Sequence, residues 1–147
     1  MIRKRFWALM VAGILFALAF PSIAQNRTKP EILVVYWGSK DCRWCTYWES
    51  SMSGMQKSLM ESPEFKKIAY RVVKNERLAD PYRPEHFAKD ILWVRERIEQ
   101  GVEKRPGRPS WIVYVDKKRI AAFYGTRDWD EKHLPGIKRI VAQYSGD

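Results

Sequence analysis

The sequence predicts an α/β domain, a central sheet flanked by helices, and three observations carry that expectation. Ile32-Leu33-Val34-Val35-Tyr36-Trp37 is an unbroken apolar, β-rich run, the pattern of a strand buried on both faces. Apolar residues recur at helical spacing in three later segments. Trp111 to Val115 and Ile120 to Tyr124 are strand-like runs joined by the short polar segment Asp116-Lys117-Lys118-Arg119, which reads as a hairpin.

The chain opens Met1-Ile2-Arg3-Lys4-Arg5, continues with apolar residues from Phe6 to Phe20, and reaches Pro21-Ser22-Ile23-Ala24. A basic start, a short apolar core and small residues before Gln25 describe a secretory signal peptide over 1–24, with Ala24 the last residue removed. The run is short for a membrane span, which needs about 20 residues. Retention as an anchor is the alternative. Residues 25–147 then form one domain, large enough to bury a core without staples. A periplasmic or secreted location follows. The formal charge of the whole chain is +10, and export argues against nucleic acid as the partner. The basic residues are spread over several segments, as on a solvated surface.

After the first strand, Gly38-Ser39-Lys40-Asp41 breaks the run, and Asp41 is expected to cap the following helix. Cys42 and Cys45, the only two cysteines, stand three apart at the helix start. Unpaired N–H groups and the positive helix end there favour a thiolate, the nucleophile of thiol–disulfide exchange. Arg43 adds to that field and Asp41 opposes it. A purely structural bridge is a poor account of the pair, because so small a loop restricts the unfolded chain little.

The helix is predicted from Thr46 to about Glu61, with Trp48, Met52, Met55 and Leu59 as its buried stripe. That stripe turns Cys45 inward and leaves Cys42 at the surface, so Cys42 attacks and Cys45 resolves. Ser62-Pro63 ends the helix. Ile68 to Val73 reads as a second strand, and residues 74–83 as a surface loop. A helix is predicted from Pro84 to Gly101, with Phe87, Ile91, Val94 and Ile98 as its apolar face. The hairpin follows a basic loop ending in Pro106-Gly107-Arg108-Pro109. The last helix carries Pro135 in its first turn and Leu134, Ile137, Ile140, Val141 and Tyr144 along one side.

Tyr36-Trp37 closing a strand, C-x-x-C opening a helix, Arg108-Pro109-Ser110 before a hairpin, and Gly125 match the thioredoxin-like superfamily in order and spacing. The resemblance covers most of Ile32 to Tyr144. It implies a thioredoxin-like fold, a single domain with a central mixed β-sheet flanked by helices. It further implies that Pro109 follows a cis bond, that the Arg108 backbone pairs with an extended substrate peptide, and that Ser110 starts the next strand. Arg43 and Trp44 are expected to contact substrate beside the nucleophile. Two departures stand out. The inner pair is Arg43-Trp44, and Val35 and Tyr36 occupy the region where thioredoxins carry a buried acid. Glu49 is the candidate proton carrier for Cys45 in its place.

The activity implied is exported thiol–disulfide oxidoreductase, reductase favoured because the inner pair lacks the His common in oxidase-type motifs. No cofactor is expected beyond the redox-active Cys42–Cys45 disulfide, and no metal. The expected partners are exported proteins with disulfides or thiols and a separate redox partner protein, with the chain itself a monomer. The alternative is a non-catalytic binding module whose Cys42–Cys45 pair stays oxidised. Trp129, in a polar loop, is a candidate for the rim of a partner surface, whereas Trp37 and Trp48 read as core. His86 and His133, far apart in sequence, read as surface or cap residues rather than metal ligands. A Cys–His hydrolase would leave Cys45 without a role.

Overall fold

A computed structural model of the chain describes residues 29–146; the predicted signal peptide, 1–24, lies outside the described residues. The sheet has four strands in the order β2-β1-β3-β4. They are β1 (Ile32–Ser39), β2 (Ala69–Asn75), β3 (Ser110–Val115) and β4 (Lys118–Tyr124). β1 runs parallel to β2 and antiparallel to β3, and β3 pairs antiparallel with β4. A parallel pair needs a long crossover. Here α1 (Arg43–Glu49) and α2 (Met55–Met60) provide it, while α3 (Leu92–Glu99) connects β2 to β3 and α4 (Leu134–Ser145) closes the chain. The result is a mixed sheet flanked by helices in one domain, a thioredoxin-like fold.

Every residue of β1 is buried, as its apolar run requires. Strand alternation sends Ile32, Val34 and Tyr36 to one face, under the two cysteines and α4, and Leu33, Val35 and Trp37 to the other, under α3. The hairpin turns through Asp116 and Lys117, both at positive φ, as two-residue hairpin turns require. Asp116 is held there by Glu31. Its backbone N–H donates to the Glu31 carbonyl at 3.0 Å, and its carboxylate accepts the Glu31 N–H at 2.9 Å. An extra residue, Ile120, bulges from β4 between the pairs Val113–Ala121 and Tyr114–Arg119.

Two helices differ from expectation. The single helix predicted from Thr46 to Glu61 is two, because Gly54 takes a left-handed conformation (φ 66°) and starts α2 afresh. Ser50 and Ser53 hydroxyls bond the freed carbonyls of Tyr47 and Trp48 at the break. Met52, expected in the core, lies in this bend and is 92% exposed. The helix predicted from Pro84 to Gly101 is two 3₁₀ turns, Pro84–His86 and Lys89–Ile91, followed by α3. Phe87, Ile91 and Val94 are buried all the same, so apolar spacing reported burial correctly and helix length poorly. At the other end, Gly136 lets α4 sit directly on β4, since a Cβ there would come within 2.6 Å of the Phe123 ring.

Candidate functional site

Cys42 and Cys45 form a disulfide at the start of α1. Cys42 itself is the N-cap; its sulfur accepts the Cys45 backbone N–H at 3.1 Å, and its carbonyl accepts Thr46 N–H at 3.0 Å. Asp41 was the expected cap and is displaced from that role. Its carboxylate instead accepts the backbone N–H of Leu78, in the loop after β2, at 2.7 Å. Cys42, expected at the surface, is only 3% exposed, and Cys45 is fully buried. A turn from Ser39, whose carbonyl accepts Cys42 N–H at 3.3 Å, folds Cys42 over the end of β1, and bonding to Cys45 draws its sulfur inward.

Beneath the pair lies an aromatic floor of Tyr36, Trp48, Trp111 and Trp129. Ring centroids are 4.5 Å apart for Tyr36–Trp48, 5.0 Å for Trp48–Trp111 and 4.7 Å for Trp111–Trp129, in tilted arrangements. Trp129, expected as a partner-surface rim, belongs to this floor and is fully buried, its indole N–H donating to Ser58 Oγ at 3.0 Å. His133, expected at the surface or in a cap, is the N-cap of α4 and is buried there, with Nε2 3.0 Å from the Tyr124 carbonyl. It closes the π-type turn Trp129–His133, directly ahead of α4. His86 is a cap, accepting the Arg83 N–H on Nδ1 at 2.8 Å.

Glu49 is one helical turn beyond Cys45 on the same face of α1. It accepts from the Tyr36 hydroxyl at 2.9 Å and pairs with Lys74 of β2 at 2.5 Å. Burial, and then the Glu49 charge, push the Tyr36 hydroxyl far above its ordinary range, so it remains a protonated donor. Glu49 of α1 thus bridges Tyr36 of β1 and Lys74 of β2.

The Arg108–Pro109 bond is cis, and Pro109 is buried with its carbonyl accepting the Gly125 N–H at 2.9 Å. Ser110 opens β3 opposite Trp37, its hydroxyl donating to the Gly107 carbonyl at 2.7 Å. That register puts the 107–109 segment at the same end of the sheet as the turn into Cys42. Trp44, 54% exposed, projects from α1 with the Arg43 guanidinium 5.4 Å from its ring centroid. Beside it a cavity of about 630 Å³ is lined by Trp44, Tyr47, Met55 and the segment Gly125 to Asp128.

The Arg108 side chain points into the loop after β2. Its Nη1 donates to the Leu78 carbonyl at 2.8 Å, and its Nε donates to the Tyr82 hydroxyl. The Tyr82 hydroxyl in turn lies 3.3 Å from the Gly38 carbonyl, at the end of β1. Leu78 therefore bonds both Asp41, just ahead of Cys42, and Arg108, just ahead of Pro109. Residues 74–83 carry no periodicity, so neither Leu78 nor Tyr82 was found by sequence reasoning. A lone aromatic in a polar stretch was the only signal.

No protein-family model and no curated protein matches the chain. Among solved structures it is similar to the periplasmic thioredoxin SoxS of Paracoccus pantotrophus in its reduced form, at 13% identity and TM-score 0.49, over 77% of this chain and 98% of that one. It is similar also to thioredoxin f2 of Chlamydomonas reinhardtii, at 16% identity and TM-score 0.43, over 82% and 86%. Thioredoxin of Trypanosoma brucei brucei is 14% identical with TM-score 0.43, over 77% and 76%.

Proposed function

We propose that the chain is an exported, periplasmic thiol–disulfide oxidoreductase that works as a reductase. The observation that carries this reading is the Cys42–Cys45 disulfide at the head of α1, set at the same sheet end as the Arg108–Pro109 segment. In the reduced protein the Cys42 thiolate attacks one sulfur of a substrate disulfide. A Cys42–substrate bond forms, and the first substrate sulfur leaves and takes up a proton. Cys45, as thiolate, then attacks Cys42 Sγ. The Cys42–Cys45 bond closes, the second substrate thiol departs, and two electrons have passed to the substrate. A separate dithiol donor protein resets the pair.

The Cys45 N–H already directed at Cys42 Sγ is a fixed donor for the thiolate. Glu49, joined to Tyr36 and Lys74, takes the proton as Cys45 ionises. Trp44, Arg43 and the backbone at Arg108, Pro109 and Ser110 border the approach of the substrate polypeptide. The protein needs no cofactor beyond its own disulfide, acts as a monomer on exported proteins, and leaves its first 24 residues behind on export.

The test is catalysed reduction of insulin by dithiothreitol. The protein is expected to accelerate precipitation well above the reagent alone, and Cys42→Ser to abolish the acceleration. Cys45→Ser is expected to accumulate a Cys42-linked mixed disulfide. A second reading, a binding module with a permanently closed pair, draws on the burial of Cys42 at 3% exposure. It is favoured if the rate equals that of the reagent and Cys45→Ser traps nothing.

A further inference from the structure

Two arginines gather on one ring beside Pro109. The Arg108 guanidinium carbon is 4.2 Å from the Tyr82 ring centroid and that of Arg105 is 5.0 Å from it. Each is fixed by a backbone carbonyl, Arg108 on Leu78 at 2.8 Å and Arg105 on Asp80 at 2.7 Å. Burial pushes the Tyr82 hydroxyl above its ordinary range against the opposing pull of both arginines.

Among the described residues no carboxylate forms an ion pair with either guanidinium. The acids of this region are engaged elsewhere or stand apart. Asp41 holds the Leu78 N–H, Glu76 pairs with Lys40 at 2.6 Å, and the Asp80 side chain bonds neither arginine. Arg108 Nη2 is buried without an acceptor. Two like charges held against one ring repel each other, while each is attracted to the ring face. An arrangement this fixed, with no carboxylate on either cation, suits an anionic partner: exposed Arg105 offers the guanidinium donors not bonded to Asp80, and Arg108, whose own donors are engaged or buried, adds its charge.

The two arginines border a hollow of about 240 Å³, completed by Leu78, Pro106 and Gly107. That is below the ~300–1,000 Å³ of small-molecule sites and suits one side chain. Leu78, 48% exposed, offers an apolar wall for the methylene stem of a glutamate. We propose that this hollow receives a carboxylate side chain of the polypeptide whose disulfide is reduced, so that the protein selects disulfides in acidic segments. The placement of that polypeptide at Pro109 rests on the proposed function; carboxylate recognition by Arg105 and Arg108 does not require redox chemistry.

The experiment uses the Cys42→Ser/Cys45→Ser protein and three labelled peptides identical except for Glu, Gln or Lys beside a central Ser. At low ionic strength the Glu peptide is expected to bind about tenfold more tightly than the Gln peptide, as charge-assisted pairing would give. The Lys peptide is expected to bind weakest. Arg105→Gln, a change at an exposed side chain, is expected to erase the Glu advantage, and salt to shrink it. Equal binding of the Glu and Gln peptides, or an advantage that survives Arg105→Gln, overturns the inference. So does preferential, Arg105-dependent capture of phosphatidylglycerol vesicles, which would make the cluster a membrane contact. Disulfide versions of the peptides, given to the native protein, are expected to show the same order in kcat/KM. Selective binding with no turnover of any peptide would retain this inference and sink the reductase reading.

Discussion

The two faces of the sheet are built from one strand and do different work. On the cysteine face Tyr36 meets Trp48, Trp111 and Trp129, large flat rings with few rotatable bonds, in a continuous layer under the disulfide. On the other face Leu33 and Val35 pack with Val73, Ile91, Val94 and Ile112, with Trp37 and Phe87 edge-on at 5.7 Å. Rigid rings transmit the position of α1 to the sulfur atoms; the other face has rings too, Trp37, Phe87 and Tyr114, but they pack among aliphatic side chains in a cluster that holds neither cysteine. The cysteine face should therefore link redox state to stability, and the aliphatic face should not. β2 repeats the contrast with charges. Lys74 reaches Glu49 on the cysteine face, and Arg71 reaches Asp90 on the other.

The largest effect should come from Trp48→Ala. Removing this fully buried ring is expected to cost about 3–5 kcal/mol of unfolding free energy. Because Trp48 lies one turn from Cys45, the loss should differ between the oxidised and reduced proteins, and the Cys42–Cys45 potential should shift with it. Urea unfolding of both redox forms measures the first, and a glutathione titration the second. Equal losses in both forms would break the proposed distinction between the faces.

Next comes Glu49→Gln. It keeps the Tyr36 acceptor but removes the charge proposed to take the Cys45 proton, and resolution of the mixed disulfide is expected to slow by about 10²-fold, with a changed pH profile. Rapid-quench analysis of the Cys42-linked intermediate reads that step directly. A uniform slowing with the same pH profile would mark the Tyr36–Glu49–Lys74 group as structural.

Val94→Ala, the matched change on the aliphatic face, should cost about 2 kcal/mol from the lost methyl groups and the space they leave. Val94, on the sheet-facing side of α3, is fully buried away from the cysteines. The expected result is an equal loss in oxidised and reduced protein and an unchanged potential.

Much of this arrangement could be read from the chain. β1, the hairpin and the closing helix were legible because their apolar periods are long and their boundaries fall at Gly, Pro or charged residues. The C-x-x-C spacing located the disulfide-bonded pair, and Arg108-Pro109-Ser110 located the segment at the same end of the sheet. Burial of Cys42 was not legible, since it depends on a turn from Ser39 and on closure of the bond to Cys45. Trp129 was misplaced because a π-type turn shifts the phase ahead of α4, so its polar neighbours gave the wrong side. The Leu78–Tyr82 loop was silent for another reason. Its bonds run from backbone groups to Asp41 and Arg108, at sequence distances of 37 and 30 residues for Leu78, and no local pattern encodes such a pairing.

The smallest effect sharpens the comparison most, because β2 supplies an ion pair to each face. Arg71 bonds Asp90 through Nε at 2.9 Å and through Nη2 at 2.7 Å, and this hydrogen bonding holds the Asp90 carboxyl below its ordinary value. A carboxyl lowered on folding adds stability that is complete above its unfolded pKa and fades as pH falls through the folded value. The pair is solvated, with side chains 38% and 49% exposed, so its worth is about 0.2–1 kcal/mol, less at high salt. Asp90→Asn should therefore narrow the stability gap between neutral and strongly acidic solution by that amount, leaving the Cys42–Cys45 potential untouched. The Lys74–Glu49 pair, at 28% and 25% exposure, is the better shielded of the two and stands one turn from Cys45. If Asp90→Asn moved the potential as Glu49→Gln does, the sheet would be transmitting charge between its faces, and the division of labour along β2 would be wrong.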